Sequence, residues 1–139
     1  MNAFGTQTDS IYFRPIAGHT FQGILLDNPG AFVGEFPPTG PPTASSWLKF
    51  VNIDSVTSGQ SIGSFGSTPL IAGNRHQLTI EDSRFRRNRN GAIALQAPNS
   101  SLLRVRVDTT GNLTTSIAAI LLEDSGSLQV VKVVRSGQT

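Results

Sequence analysis

The segments Leu78-Thr79-Ile80-Glu81-Asp82, Leu103-Arg104-Val105-Arg106-Val107 and Leu128-Gln129-Val130-Val131-Lys132 begin 25 residues apart and then 25 again. An earlier copy, Leu48-Lys49-Phe50-Val51-Asn52-Ile53, precedes the first by 30 residues. A return of roughly 20–30 residues in strand-like sequence points to stacked coils, each burying its apolar face against its neighbours. Leu78, Ile80, Leu103, Val105, Leu128 and Val130 are expected to stack inward as aliphatic ladders. Each such side chain contributes about 1.5–3 kcal/mol on burial.

Each leucine-led strand is followed by a polar turn and a second apolar strand. The second strands are expected over residues 68–72, 91–95 and 117–122. Turn chemistry separates them at Asn88–Gly91, Pro98–Ser101, Gly111–Asn112 and Asp124–Ser127, where Asn, Gly, Ser and Pro interrupt the apolar pattern. Upstream, residues 1–46 read as an irregular arm with apolar patches at Ile11-Tyr12-Phe13 and a short strand over residues 23–27. Residues 31–36 alternate weakly and are expected as a second strand. Residues 37–46 carry four prolines, which remove four ladder donors, and read as a semi-rigid linker. The body is expected over residues 47–139.

At 139 residues, one domain with an arm is expected. Charged residues are only 14% of the chain and the formal net charge is +2. Nine of the eleven basic residues are Arg, which does not describe a Lys-rich nucleic-acid tail. There is no Cys, so neither a disulfide frame nor a thiolate metal site is expected. Residues 1–20 lack a basic start followed by an apolar core, and no run of about 18 apolar residues occurs. No signal peptide and no membrane span are therefore expected.

The run Leu78-Thr79-Ile80, Ser83-Arg84-Phe85, Asn88 and Gly91-Ala92-Ile93-Ala94-Leu95 resembles the coil cadence of right-handed parallel β-helix proteins, the bacteriophage tailspikes and pectate-lyase-like enzymes. The likeness covers residues 47–135. It implies an all-β fold: a short parallel β-helix (solenoid) of three to four coils with an irregular Pro-rich N-terminal arm. A β-sandwich or jelly roll stands as the alternative, because about seven short strands at roughly 8–12-residue spacing also fit.

Enzymes of this kind use paired carboxylates on a groove face. Here Glu81-Asp82 and Glu123-Asp124 are the adjacent acidic pairs, and neighbours on a strand point to opposite faces. In the 25-residue register Glu81 falls beneath Arg106, so a surface ion pair is the expected role. No catalytic residue, cofactor or metal site is expected. His19 and His76 lack a second His at ligand spacing.

The sharpest local feature is the cluster Arg84, Arg86, Arg87 and Arg89, with Arg104 and Arg106 beyond it. It reads as a solvated turn or a contact for an acidic partner, and nucleic acid is disfavoured because only Phe85 interleaves. Tyr12, Phe13, Phe32, Phe36 and Trp47 are further candidate partner contacts, with Trp47 expected as a packed anchor between arm and body.

From the resemblance follows the functional expectation: a non-enzymatic bacteriophage virion protein, made in the host cytoplasm. Its most specific form is a homotrimeric capsid cement or decoration protein on the major capsid protein. A tail or head-fibre component, and a carbohydrate-binding or depolymerising tailspike-like module, are the alternatives.

Overall fold

The computed structural model describes residues 1–21, 23–26, 44–56, 60–61, 67–68, 70–72, 76–88, 93–95, 99–110, 120–122, 127–129 and 132–133. These residues are all-β and contain no helix. The expected strand at 31–36 and the proline-rich stretch at 37–43 lie outside them.

The chain passes through three sheets in a repeating order. The first pass contains β1 (Asn2–Phe4), β2 (Ile11–Phe13) and β3 (Ile24–Leu26). The second contains β4 (Ala44–Lys49) and β5 (Val51–Asp54). It continues through a small antiparallel pair, β6 (Gln60–Ser61) and β7 (Ser67–Thr68), to β8 (Leu70–Ala72). The third contains β9 (His76–Glu81), β10 (Arg84–Asn88) and β11 (Ile93–Leu95). The fourth contains β12 (Ser101–Leu103), β13 (Arg106–Thr110) and β14 (Ile120–Leu122), and a last one β15 (Ser127–Gln129) and β16 (Lys132–Val133). The first sheet has the order β1-β4-β9-β12-β15, the second β2-β5-β10-β13-β16 and the third β3-β8-β11-β14.

Every pair in these three sheets is parallel. That removes the antiparallel sandwich or jelly roll, whose hairpin and Greek-key connections pair neighbouring strands in opposite directions.

The side-chain period of two sends alternate residues into one core. Ala3, Leu48, Ile80 and Leu102 stack in the first sheet. Phe13, Ile53, Phe85 and Val107 stack in the second, and Ile24, Leu70, Ile93 and Ile120 in the third. Leu48, Ile53, Leu70, Ile80, Leu102 and Val107 are completely buried, and Ala3, Ile11, Phe13, Phe21, Ile24 and Ile120 pack against that core. The expected second strands appear as β8, β11 and β14, in the register Leu70–Ile93–Ile120.

Two expectations are corrected. The 25-residue spacing does not set the register: Ile80 pairs with Leu102, 22 residues on, and Leu103 pairs with Glu81. Leu102 is the buried member of the Leu102-Leu103 pair, and Leu103 is half-buried. Residues 1–26 are not an irregular arm, because they supply one strand to each sheet, and β4 opens at Ala44, inside the stretch read as linker.

The leucine-led segments also split in two at a corner. Phe50, Asp82 and Arg104 each take a left-handed conformation, with φ of 50°, 49° and 53°, between a strand of the first sheet and one of the second. Such a residue turns the chain sharply at a cost of about 1–2 kcal/mol for a non-glycine side chain. The corner is held by ladder bonds that continue through it, from Phe50 N–H to Glu81 O (3.2 Å) and from Asp82 N–H to Leu103 O (3.0 Å). In the first pass Gly5 stands beneath this corner, donating to Lys49 O at 2.9 Å. A Cβ there would lie 2.8 Å from Phe50 O and 2.9 Å from Asp9 O.

Candidate interaction surface

The solvent-facing side of the second sheet follows from the same alternation. With Ile53, Phe85 and Val107 inside, Asn52, Arg84 and Arg106 are register partners on the outer face, and so are Asp54, Arg86 and Asp108. The run Arg84-Phe85-Arg86-Arg87, read as a solvated turn, is therefore strand β10.

Two Asp–Arg clusters form across its rungs. Asp54 accepts from Arg86 Nη2 at 2.7 Å, from Arg87 Nε at 2.8 Å and from Arg87 Nη2, with Ser55 Oγ donating at 2.9 Å. Asp108 accepts from Arg84 Nε at 2.5 Å and from Arg106 Nε at 2.7 and 2.8 Å. The carboxylates lie underneath, at 3% and 9% exposure, while the arginines range from 33% for Arg86 to 62% for Arg87. The Arg87 fork, with help from Ser55 and Arg86, outweighs burial and lowers the Asp54 carboxyl to about 2. Burial pushes the Asp108 carboxyl up, but the bonds from Arg106 and Arg84 leave it below the ordinary carboxylate range. Four guanidinium groups over two carboxylates leave this face with a surplus of two positive charges. Arg89 lies outside the described residues.

At the corner between the first and second sheets, Arg104 forks onto Asp82 with Nε–Oδ1 at 2.5 Å and Nη2–Oδ2 at 2.8 Å. Arg104 holds the Asp82 carboxyl low. Glu81 pairs with Lys49 at 3.0 Å and lies 3.9 Å from Arg104. The expected Glu81–Arg106 pair is not formed, because in the observed register Arg106 stands beside Arg84. Glu81 is nonetheless ion-paired: the β4–β9 register brings Lys49 to it, and the 22-residue return with the corner brings Arg104.

A second feature lies at the N-terminal end. The exposed large hydrophobic residues among those described are Met1, Phe4, Tyr12, Ile16 and Trp47. Phe4 and Trp47 meet edge to face with ring centroids 5.3 Å apart, and the Arg14 guanidinium sits 6.0 Å from the Tyr12 ring centroid. Trp47 is 42% exposed, so it is not the packed anchor expected of it. Its place in β4 between the buried Ser46 and Leu48 puts the indole on the outer face. Phe13 packs against the core, while Phe32 and Phe36 lie outside the described residues.

Buried polar groups serve the fold. Ser83 Oγ donates to Glu81 O at 2.6 Å and accepts from Val51 N–H at 3.1 Å. Ser100 Oγ accepts from Leu78 N–H at 3.1 Å, and Asn88 Oδ1 from Val56 N–H at 3.2 Å. His76, buried, has Nε2 at 2.8 Å from Ser46 Oγ, whereas His19 is exposed. Among the described residues no group of three His, Cys, Asp or Glu is placed to hold a metal ion, and no helix is long and apolar enough to cross a membrane.

Reading the sequence singled out the arginines but not their partners. Asp54 lies 33 residues from Arg87, and Asp108 24 from Arg84, separations that only the strand register closes. Phe4 was also passed over, since a three-residue strand carries no visible period. Compared with protein-family models, curated proteins and solved structures, the chain has no match.

Proposed function

We propose that the chain is a short parallel β-helix that serves as a structural, non-enzymatic component of a bacteriophage virion, of the cement or decoration kind. The repeated passage through three parallel sheets, with aliphatic columns running from pass to pass, supports the β-helix reading. The observation that carries the role is the one-ended distribution of exposed apolar side chains. Met1, Phe4, Tyr12, Ile16 and Trp47 gather on the first two passes, whereas the described outer face of the later passes is dominated by paired charges. Grouped exposed hydrophobics mark a contact surface. A contact protein built this way adds buried interface between neighbouring shell subunits, and interfaces of about 1,600 Å² sum over many copies. The virion setting, the major capsid protein as partner and the homotrimer rest on the resemblance to tailspike coils.

Quantitative mass spectrometry of gradient-purified particles tests this reading. Copies in a simple ratio to the major shell subunit support a cement role. A few copies per particle place the chain in the tail or a fibre, and absence from particles overturns the reading in favour of a carbohydrate-binding module.

A further inference from the structure

We infer that the outer face of the second sheet is a docking surface for an extended acidic segment of a partner protein, read by Arg84, Arg86, Arg87 and Arg106. The inference rests on the proposed structural role only in supplying a protein partner.

Charge is the first support. Each buried carboxylate is shared by two guanidinium groups, so neither cluster is neutral, and the exposed part of each is the cation. A guanidinium has five N–H donors, and one carboxylate cannot saturate two of them. Donors therefore remain toward solvent, in the planar geometry that matches a second carboxylate.

Order is the second support. Asp54 and Asp108 hold these long side chains against the sheet, so the rotamer freedom that an arginine normally loses on binding is already lost. A diffuse polyanion such as nucleic acid, bound chiefly through counterion release, gains little from such ordering. Discrete carboxylates gain from it.

Spacing is the third. Arg84 and Arg86 are two residues apart on one strand, about 6.6 Å along it, and strands lie about 4.8 Å apart. A partner segment in extended conformation presents alternate side chains at the same interval of about 6.6 Å. Asp or Glu at every second position of a segment lying along β10 would meet both clusters.

The test is fluorescence anisotropy of the full chain with a labelled decapeptide alternating Glu and Thr, its Gln-for-Glu counterpart, and a twenty-nucleotide oligothymidylate. The Glu peptide should bind and the Gln peptide should not. Asp108→Asn raises the net charge by one yet releases Arg84 and Arg106, and should weaken Glu-peptide binding by about fivefold. The Arg84→Lys/Arg106→Lys variant keeps both charges, loses the forks and should weaken it similarly. Tighter binding by the Asp108→Asn variant, unchanged binding by the double lysine variant, preference for the oligonucleotide, or no binding of the Glu peptide would each overturn the inference. Unfolding of Asp108→Asn in circular dichroism leaves the decision to the lysine variant. Failure here does not alter the particle count, which tests the structural role separately.

Discussion

Arg87 reaches across one rung of the second sheet and forks onto Asp54, a carboxylate buried beneath the guanidinium it holds. Arg87 does this from a left-handed backbone, φ 53°, as does its neighbour in the ladder, Ser55, at 58°. The ion pair thus joins two left-handed residues on adjacent strands, and the protonation of Asp54 is coupled to folding.

The coupling sets an acid limit. Asp54 has a carboxyl lowered from 3.8 to about 2 in the folded protein, so the unfolded chain binds the proton more tightly. Its contribution is complete above pH 4 and is lost as the pH falls toward 2. It amounts to about 2 kcal/mol. Urea unfolding at pH 7, 4 and 2.5 should show this loss in the native chain, and Asp54→Asn should lower stability at pH 7 and remove the Asp54 share of the pH dependence, leaving the part due to Asp82 and Asp108.

The register predicts an asymmetry between two adjacent leucines. Leu102 is completely buried against Ile80, so Leu102→Ala should cost about 2–5 kcal/mol. Leu103, paired with Glu81 and half-buried, should cost less than about 1 kcal/mol on the same change. Chemical denaturation of the two variants decides between the 22-residue and 25-residue returns, and the reverse order would restore the latter.

Gly5 predicts how firmly the first pass is seated. An added Cβ meets backbone oxygens of Phe50 and Asp9 rather than a movable side chain. Gly5→Ala should therefore cost about 1–3 kcal/mol and speed hydrogen exchange at Ile11, whose N–H donates to Phe50 O at 3.0 Å. Unaltered exchange there would show that residues 1–13 do not depend on this fit.

Ser83 predicts a buried polar cost. Removing its hydroxyl leaves Val51 N–H without its acceptor in a buried site, so Ser83→Ala should destabilise by about 1–3 kcal/mol. A thermal melt equal to that of the native chain would show that water replaces the hydroxyl.

Much of the architecture was legible because its cause is local. Leu78 and Ile80 alternate with polar residues, and Ile93 and Leu95 with alanines, and a period of two between turn residues reads directly as strand. Register was harder for a physical reason. Leu102-Leu103 offers two phases of the same alternation, and a shift of one residue exchanges inside for outside. Of the corner residues, Phe50 and Arg104 are side chains that seldom adopt left-handed geometry, and a lone Asp82 beside Glu81 does not set itself apart as a bend. Of the first pass, β3 was expected as the short strand over residues 23–27 and β2 was seen only as an apolar patch, because strands of three residues are too short to display a period. In the candidate surface, Arg84-Phe85-Arg86 does alternate, but with a single apolar residue it resembles a charged turn. Its aspartates are near only once the strands are stacked.

The first residues pair in parallel with the strands that follow them, and the absence of cysteine allows a direct measurement of that pairing. Tyr12 and Asn52 are register partners on the outer face of adjacent strands, at a spacing a disulfide can bridge. After mild oxidation of the Tyr12→Cys/Asn52→Cys variant at low concentration, intact-mass and peptide analysis should find an intramolecular disulfide in nearly every chain, with the fold retained. Free thiols or only disulfide-linked dimers would contradict the account, because residues 1–26 would then not lie against the strands that follow them.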